Sequence, residues 1–257
     1  MLTVFIPAKG TSSAISKKNL CKVGDRTLTG HAIHACLGSS LVNRVVLSTD
    51  SIDVVSELVK CVGGKRLKIR KPEEGTISIY GVKDKIQFVV HWRRPKDATA
   101  SSPTVDSIID YLELENSSGL DLTKNLLLLQ PTSPFRTLEE LDEVIRNFLA
   151  DPSFPLASVK QIQSPHPLKT FEVGHEIHAV FSNEDIRRLT SPRQQLQKRY
   201  AFDGAYYINS VANITNQGAL IGPKTRVLFR TGYQTINIDT PEDLLLARII
   251  ANQIEYD

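Results

Sequence analysis

Short apolar runs that end in polar loops are the feature that most restricts how this chain can fold. Residues 3–6, 44–48 and 125–130 lack the polar alternation of a half-exposed strand, so they predict strands buried on both faces. Helical patterns alternate with them, at 28–39, 52–61, 103–116 and 138–150. This order predicts an α/β fold with a mostly parallel central sheet, and the most continuous run, 125–130, predicts its central strand. Ligands of such sheets bind beyond the carboxyl ends of the strands.

The loop after the first run suits an anion. Pro7 ends the strand because it has no N–H group, and the small residues at 10–14 leave backbone N–H groups accessible. Lys9, Lys17 and Lys18 add positive charge on both sides, which favours a polyphosphate. On these residues alone, an ordinary turn with solvated lysines is the alternative. The patterns GxxxxGKS/T and GxGxxG are both absent, so neither a P-loop nor a dinucleotide fingerprint is indicated.

Composition narrows the class of protein. A chain of 257 residues with a net charge of +3 gives no electrostatic case for nucleic acid, so any affinity for anions has to be local. The three cysteines, Cys21, Cys36 and Cys61, lack paired or CxxC spacing, which argues against a disulfide framework or a zinc site. They favour a reducing, cytoplasmic compartment. Neither a leader nor a run of about 18 apolar residues is found, so export and membrane insertion are not expected. We predict one domain over residues 1–257.

Two stretches interrupt the alternation of strands and helices. Residues 63–92 are rich in Lys and Arg and predict a small antiparallel excursion with strands at 66–70, 76–80 and 86–90. Its simplest interpretation is a solvated edge whose lysines discourage pairing with other chains. Residues 155–199 are irregular, and their pattern alone fits a lid, an oligomerisation arm or plain surface.

Polar residues at two further strand ends are candidates for ligand binding. Gln130 and the segment that follows it to Thr137 put an amide, hydroxyls and an arginine at the carboxyl end of the central strand, a mixture that a simple turn does not need. Later in the chain, residues 234–239 predict a strand on which Asn237 and Asp239 share a face and offer oxygen ligands to Mg²⁺. The alternative is that Asp239 only helps to cap the helix that follows Thr240.

Six stretches, taken in order, resemble the signature blocks of one family. They lie along nearly the whole chain and are interrupted chiefly by the basic stretch at 63–92. The family is that of the acylneuraminate cytidylyltransferases, which comprises the CMP-sialic acid synthetases and their relatives acting on other nonulosonic acids. The blocks are IPAKG from Ile6 with SKKNL from Ser16, QPTSPFRT from Gln130, HPLKT from His166, PRQQL from Pro192, DGAYYI from Asp203 and INIDTPED from Ile236.

The resemblance implies a Rossmann-like nucleotidyltransferase that works as a homodimer, joins CTP to a 2-keto sugar acid with Mg²⁺ and releases pyrophosphate. The first loop then holds the triphosphate, and 155–199 is a dimerisation arm whose Lys169 and Arg193 reach the sugar carboxylate in the neighbouring subunit. The implied catalytic residues are Lys9, Lys18 and Asp239, and the implied metal ligands are Asp239 and Asn237. The implied nucleotide-binding residues are Lys9, Ser12, Lys18, Asn19, Arg94 and Ser102. The implied sugar-binding residues are Gln130, Ser133, Lys169, Arg193, Tyr207, Leu220 and Ile221.

Departures from the family pattern concern the phosphate loop, the metal site and the sugar pocket. Lys9 stands where the family usually has arginine, so a point charge replaces a fork of donors, and the loop also lacks one further cation. Asn237 stands where the family usually has aspartate, which removes one carboxylate from the metal site. Ala201 replaces a frequent arginine, and Leu220 with Ile221 replaces an aromatic pair, which leaves the identity of the sugar acid open.

The reaction expected from the resemblance is an in-line attack of the sugar's anomeric 2-hydroxyl on the α-phosphorus of CTP. Lys9, Lys18 and Mg²⁺ on Asp239 are expected to offset the developing charge, while a metal-bound water and Asp239 are both candidates for the base. Three hypotheses stay open. The chain acts on N-acetylneuraminic acid or a close relative, or it performs the same chemistry on legionaminic or pseudaminic acid or with another nucleotide. The third is a catalytically silent nucleotide- or sugar-binding homologue, suggested by Lys9, Ser13 and Asn237.

Overall fold

A computed structural model of the chain describes residues 1–63, 73, 75–99, 102–118, 120, 122–173, 177–179 and 190–254. Its strands are β1 (Leu2–Pro7), β2 (Lys22–Val23), β3 (Arg26–Thr27), β4 (Arg44–Thr49), β5 (Thr76–Lys83), β6 (Ile86–Trp92), β7 (Asn125–Leu128), β8 (Leu156–Gln161), β9 (Phe171–Val173), β10 (Ile177–Ala179), β11 (Tyr200–Ser210) and β12 (Arg226–Arg230). Its helices are α1 (Leu28–His34), α2 (Ile52–Val62), α3 (Thr104–Ser117), α4 (Leu138–Ala150), α5 (Val211–Gln217) and α6 (Pro241–Ala251).

One large sheet carries the fold, with eight strands in the order β12-β8-β11-β7-β1-β4-β6-β5. Strands β7, β1, β4 and β6 are parallel to one another, and β8 and β12 are parallel to each other. Strand β11 runs antiparallel to both β7 and β8, and β5 runs antiparallel to β6 at the far edge. The predicted α/β fold with a mostly parallel central sheet is confirmed, and β7 lies at its centre beside β1.

The continuous apolar runs are explained by burial on both faces of this sheet. Val4 and Ile6 of β1 belong to a large core cluster that also includes side chains of α1, α2 and α4. Phe5, between them, joins a smaller cluster with Ile108 and Tyr111 of α3 on the other face. Because the side chains of a strand alternate between faces, a strand covered on both has no need of polar positions.

Helix starts follow the capping chemistry that the sequence predicts. The Thr240 hydroxyl accepts from the Asp243 backbone N–H, the Asp243 carboxylate accepts from the Thr240 N–H, and Pro241 occupies the first turn of α6. Thr137 caps α4 in the same way through the backbone N–H of Glu140. Ser51 precedes α2, but its side chain makes no capping hydrogen bond.

The basic stretch at 63–92 is not set apart from the main sheet. Strands β5 and β6 form the predicted antiparallel pair, with Asp84 and Lys85 in left-handed conformations at the turn. Strand β6 also pairs in parallel with β4, and every residue of β6 except Gln87 is buried, so β5 and β6 extend the central sheet. The strand predicted at 66–70 lies outside the described residues.

Three further predictions need correction. Residues 156–161 of the supposed irregular arm are β8, a strand inside the large sheet. Residues 234–239 are not a strand, because a short 3-10 helix occupies Gly232–Thr235 and an extended segment without ladder pairing follows it. Helix α1 ends at His34, and not near residue 39 as predicted.

No helix in the described ranges is long and apolar enough to cross a membrane. Cys21, Cys36 and Cys61 are free thiols.

Candidate active site

A cleft of about 520 Å³ opens where strands β1, β6 and β7 end. Its lining comes from the loop after β1, the first residue after β6, the segment after β7 and the approach to α6. Six of the predicted site residues line it, namely Lys9, Ser12, Lys18, Asn19, Gln130 and Asp239. The other lining residues are Pro7, Thr11, Ser13, Arg93, Thr104, Pro131 and Thr132.

Side chains from outside the first loop hold it in place. The Asp50 carboxylate accepts a hydrogen bond from the Gly10 backbone N–H at 2.7 Å. Asn19 is buried and donates its side-chain amide to the Lys9 carbonyl at 2.7 Å. A Cβ atom on Gly10 would lie only 2.6 Å from the Cβ of Ser51, so a side chain at Gly10 would displace the loop. The loop is therefore shaped before any ligand binds, with its hydroxyl residues facing the cleft.

Lys9 ties the loop to the opposite wall. Its ammonium group donates to the carbonyl of Thr99 and, at 3.5 Å, to the carbonyl of Ser102. Burial lowers the pKa of Lys9, the positive charge of Arg93 lowers it further, and Asp50 partly offsets both effects. Lys9 is thus a cation whose partners in the described chain are neutral carbonyls, a state that an incoming anion would stabilise.

Lys18 and Asp239 meet in the cleft although they are far apart in sequence. The Lys18 ammonium lies 3.2 Å from Asp239 Oδ1 and donates to the Ile238 carbonyl at 3.1 Å. The Asp239 carboxylate is 63% exposed. Capping of α6 is performed by Thr240 and Asp243, so the alternative that Asp239 serves only as a cap is wrong.

The side chains around Asp239 offer few protein ligands to a hard cation. No group of three His, Cys, Asp or Glu side chains that could hold a metal occurs among the residues described. Asn237 turns its amide nitrogen towards Asp239 Oδ2, at 2.6 Å, and its oxygen lies 3.4 Å from the Ser133 hydroxyl. One exposed carboxylate beside a phosphate-sized cleft fits Mg²⁺ that takes its other ligands from phosphate oxygens and water. Asn237 fits the same role only after its amide turns over.

The residues around Gln130 form a second polar part of the site. A Cβ on Gly204 would lie 3.0 Å from Gln130 Oε1 and 3.2 Å from Asn237 Oδ1, so these two amides share one neighbourhood. Gly204 adopts a left-handed conformation, with φ of +81°, which favours glycine there. The Gln130 carbonyl accepts from Arg136, which is held in turn by the Ala205 carbonyl. Gln130, Ser133 and Asn237 are therefore brought together beside the cleft.

Several predicted site residues do not line the cleft. Arg94 pairs with Asp110 at 3.2 Å, and the Ser102 hydroxyl donates to the Lys96 carbonyl at 2.8 Å. Tyr207 is half-buried on β11, where burial and then Asp203 raise its pKa. Leu220 packs against the smaller core cluster, and Ile221 follows it at the partly exposed surface. These residues keep their predicted roles as predictions.

Arg193 lines a different hollow, of about 640 Å³. Gln161 of β8, His166 and Lys198 also line it, and the His166 ring contacts the Gln197 carbonyl at 3.0 Å. Lys169 ends a short 3-10 helix, Pro167–Lys169, and does not line either cavity. Within one subunit, then, the two basic residues of the predicted arm stand apart from the cleft.

Arg93 lines the cleft and was missed from the sequence. Its backbone N–H continues the ladder of β6 by donating to the Thr49 carbonyl at 3.0 Å, and its side chain is 2% exposed. The sequence feature that points to it is the pair of consecutive arginines, Arg93 and Arg94. Strand β6 is buried on both faces and shows no polar alternation, so the sequence did not indicate which arginine turns inwards.

Comparison with known proteins agrees with this geometry. The family model described as Cytidylyltransferase matches residues 3–86. The chain is 23% identical to the pseudaminic acid cytidylyltransferase of Campylobacter jejuni, over 96% of this chain and 94% of that protein. It is 25% identical to the CMP-N,N'-diacetyllegionaminic acid synthase of Legionella pneumophila, over 95% and 94%. It is 22% identical to the N-acylneuraminate cytidylyltransferase of Streptococcus agalactiae, over 94% of this chain and 51% of that protein.

Solved structures show the same fold. The structure of CMP:2-keto-3-deoxy-manno-octonic acid synthetase complexed with CTP aligns with a TM-score of 0.60 and 16% identity, over 98% of each chain. The resemblance predicted from the sequence is confirmed, since the family model and the relatives over most of the chain are all cytidylyltransferases or CMP-sugar acid synthases. Its relatives by sequence include enzymes named for three different nonulosonic acids.

Proposed function

We propose that this chain transfers CMP from CTP to the anomeric 2-hydroxyl of a nonulosonic acid and releases pyrophosphate. The observation that carries the proposal is the cleft itself. Lys9 and Lys18 from the first loop and Asp239 from the approach to α6 line one cavity at the carboxyl ends of the parallel strands. That is the place where ligands of such sheets bind, and its charges suit a triphosphate. Relatives named as cytidylyltransferases of sugar acids support the choice of CTP and of the acceptor class.

The roles of the cationic residues follow from charge development in the reaction. Attack on the α-phosphorus builds negative charge on the phosphoryl oxygens and on the leaving pyrophosphate. We propose that Lys9 and the loop residues Thr11, Ser12 and Ser13, which line the cleft, orient the β- and γ-phosphates, while Lys18 lies beside Asp239. Because both lysines already donate to protein carbonyls, little reorganisation is needed when the nucleotide binds.

Asp239 is the residue we propose to hold Mg²⁺, with Asn237 beside it. When bound, Mg²⁺ supplies positive charge to the phosphoryl oxygens and a template for in-line attack. The Lys18 ammonium group pairs with the same carboxylate, so Asp239 also positions a cation that belongs to the protein itself. For the base that accepts the proton of the attacking hydroxyl, Asp239 and a metal-bound water both remain candidates.

The sugar acid is proposed to lie near Gln130 and Ser133, with its carboxylate reached by Lys169 and Arg193 of a second subunit. A homodimer is supported by the position of Arg193 outside its own subunit's cleft. Exposed aromatic side chains beside the arm also support a homodimer. Tyr200 on β11 is 46% exposed, Phe229 on edge strand β12 is 61% exposed, and the centroids of their rings lie 5.1 Å apart.

The identity of the acid is the finer part of the proposal. N-acetylneuraminic, legionaminic and pseudaminic acid differ in the substituents that Ala201, Tyr207, Leu220 and Ile221 are proposed to contact. Small or aliphatic residues at three of these positions favour an acceptor whose substituents differ from those of N-acetylneuraminic acid, in line with the relatives named for pseudaminic and legionaminic acid. We propose the cytoplasm, which supplies CTP, as the compartment.

Pyrophosphate release tests the proposal. The protein is incubated with CTP, Mg²⁺ and a panel of pseudaminic, legionaminic, N-acetylneuraminic and 2-keto-3-deoxy-manno-octonic acids, with ATP, GTP and UTP as control nucleotides. Turnover with CTP and one acid is expected, and it identifies the acceptor. If CTP raises the melting temperature but no pair releases pyrophosphate, the chain is a nucleotide-binding homologue and the transferase proposal fails.

A further inference from the structure

Arg93 has an unusual environment for a buried arginine. Its Nε donates to the Ser48 hydroxyl at 2.8 Å, while its Nη2 is buried and has no hydrogen-bond partner in the part of the chain that the structure describes. No carboxylate within those residues lies at ion-pair distance from it. A buried guanidinium normally satisfies its donors, because a donor that has lost its water and found no partner destabilises the fold. An unused donor at the wall of a cleft therefore points to a ligand.

The charge of the surrounding wall indicates what kind of ligand that is. Lys9 and Arg93 face each other closely enough for Arg93 to lower the pKa of Lys9. Burial lowers the pKa of Arg93 itself to about 10, with Asp50 and Asp97 acting against the shift, so Arg93 is still charged at neutral pH. Two neighbouring cations without a paired carboxylate form a site for an anion.

A chain of buried side chains fixes the guanidinium in this position. Because the Asp110 carboxylate can only accept, His91 Nε2–H donates to Asp110 Oδ2 at 2.9 Å, and Nδ1 of the neutral ring is an acceptor. The Ser48 hydroxyl therefore donates to His91 Nδ1, 3.0 Å away, and its oxygen accepts from Arg93 Nε–H. Asp110 Oδ1 is paired with Arg94 at 3.2 Å. Burial lowers the pKa of His91, which keeps this single arrangement of protons at neutral pH.

We propose that Arg93 binds the polyphosphate of the nucleotide and supplies, from the end of β6, the planar fork of donors that the first loop lacks with lysine at position 9. Ser48, His91 and Asp110 are positioning residues for that fork. The inference rests on the proposed function for the identity of the nucleotide. Its direct content, a phosphate contact at Arg93, is independent of turnover.

Binding of inorganic tripolyphosphate tests the contact without cytosine or sugar. Dissociation constants are measured by calorimetry for tripolyphosphate, CTP and cytidine with the wild type, Arg93→Gln, Arg93→Lys and the matched surface control Arg146→Gln. We expect Arg93→Gln to weaken tripolyphosphate and CTP by the same factor, about tenfold to hundredfold. Arg93→Lys should recover part of the loss, and Arg146→Gln, whose side chain is exposed on α4, should bind like the wild type.

Two outcomes overturn the inference. If Arg93→Gln binds tripolyphosphate as tightly as the wild type does, Arg93 does not contact the phosphates. If the loss of affinity is confined to cytidine and CTP, Arg93 contacts the base. The melting temperature without ligand shows which variants are folded. If Arg93→Gln does not fold, Arg93→Lys decides, because it keeps the charge and loses the fork, and an unchanged affinity then contradicts the proposal.

A double-mutant cycle tests the positioning chain. Ser48→Ala should weaken tripolyphosphate less than Arg93→Gln does, and it should have no further effect when Arg93 is already Gln. Equal effects of Ser48→Ala in both backgrounds would contradict the positioning role. If tripolyphosphate binds through Arg93 while no sugar acid is turned over, the proposed function fails and this inference stands. If Arg93→Gln turns over a sugar acid at the wild-type rate, the proposed function stands and this inference fails.

Discussion

The cleft and the hollow around Arg193 are both basic, but their charges are held differently. In the cleft, Lys9 and Lys18 donate to protein carbonyls, and Arg93 donates to Ser48 from a buried position. In the hollow, Arg193 and Lys198 are exposed. The cleft is thus preorganised within one subunit, whereas the basic side chains of the hollow lie at its surface.

This difference indicates where the chemistry takes place. Fixed charges stabilise a transition state because they need no rearrangement as the reaction proceeds, whereas solvated charges lose much of their effect to water. Exposed arginines become effective when another surface covers them. This difference supports the proposals that the reaction takes place in the cleft and that the residues of the hollow act through a second subunit.

The strongest test of the cleft is Asp239→Ala. This change removes the one carboxylate that lines the cleft among the described residues, so the pyrophosphate release rate should fall about a thousandfold with little change in the melting temperature. Asp53→Ala is a matched control, because Asp53 is paired with Lys17 at the surface. Turnover of Asp239→Ala at the rate of the wild type would show that neither the metal nor the preorganised charge depends on this residue.

Two adjacent lysines sharpen the comparison within the first loop. The Lys18 side chain is 16% exposed and meets Asp239, whereas Lys17 is 65% exposed and pairs with Asp53 at 3.0 Å. Lys18→Met should lower kcat/KM for CTP about a hundredfold, and Lys17→Met should change it by less than about twofold, since a surface ion pair contributes little. Similar losses in both variants would mean that the overall charge of the loop, and not the position of Lys18, determines the rate.

Mixed subunits test the role of the hollow. Arg193→Ala and Asp239→Ala should each be nearly inactive alone, because each lacks one part of every site. After subunit exchange, half of the dimers are mixed and each has one intact site, so activity should return to about a quarter of that of the wild type. A mixture as inactive as its components would show that Arg193 acts within its own subunit or only supports the fold.

The sequence predicted the sheet better than it predicted the site. Residues 3–6, 44–48 and 125–130 were recognisable as strands because burial on both faces leaves a continuous apolar run. Strand β8 was missed because its residues follow an irregular pattern at the start of the supposed arm. The segment 234–239 was predicted as a strand from alternation, but an extended segment has the same alternation without pairing to a neighbour.

Within the site, the first loop was predictable because its cations are close in sequence. The choice between Arg93 and Arg94 was not, since it depends on where β6 stops pairing with β4, which tertiary contacts decide. The proximity of Lys18 to Asp239 was implied only by family resemblance. Lys169 and Arg193 remain the least determined, because their predicted contacts lie in another subunit.

The smallest expected effect concerns the pH dependence of the cleft. Burial and Arg93 lower the pKa of Lys9 from its ordinary 10.5, so its charge is lost at a lower pH than in the unfolded chain. Tripolyphosphate affinity should therefore be complete at neutral pH and fall, by less than about tenfold, as the pH rises through that lowered pKa. Stability without ligand should change in the opposite sense, because the unfolded chain binds more protons between the two pKa values and the free energy of unfolding rises with pH there.

Lys9→Arg separates this effect from that of its neighbour. The variant keeps its charge over the same range, so any alkaline loss that remains belongs to Arg93, whose pKa is about 10. We expect the affinity of Lys9→Arg for tripolyphosphate to be constant up to the point where Arg93 begins to titrate. An alkaline profile identical to that of the wild type would mean that Lys9 does not contact the phosphates. The preorganised cation of the first loop would then be Lys18 alone.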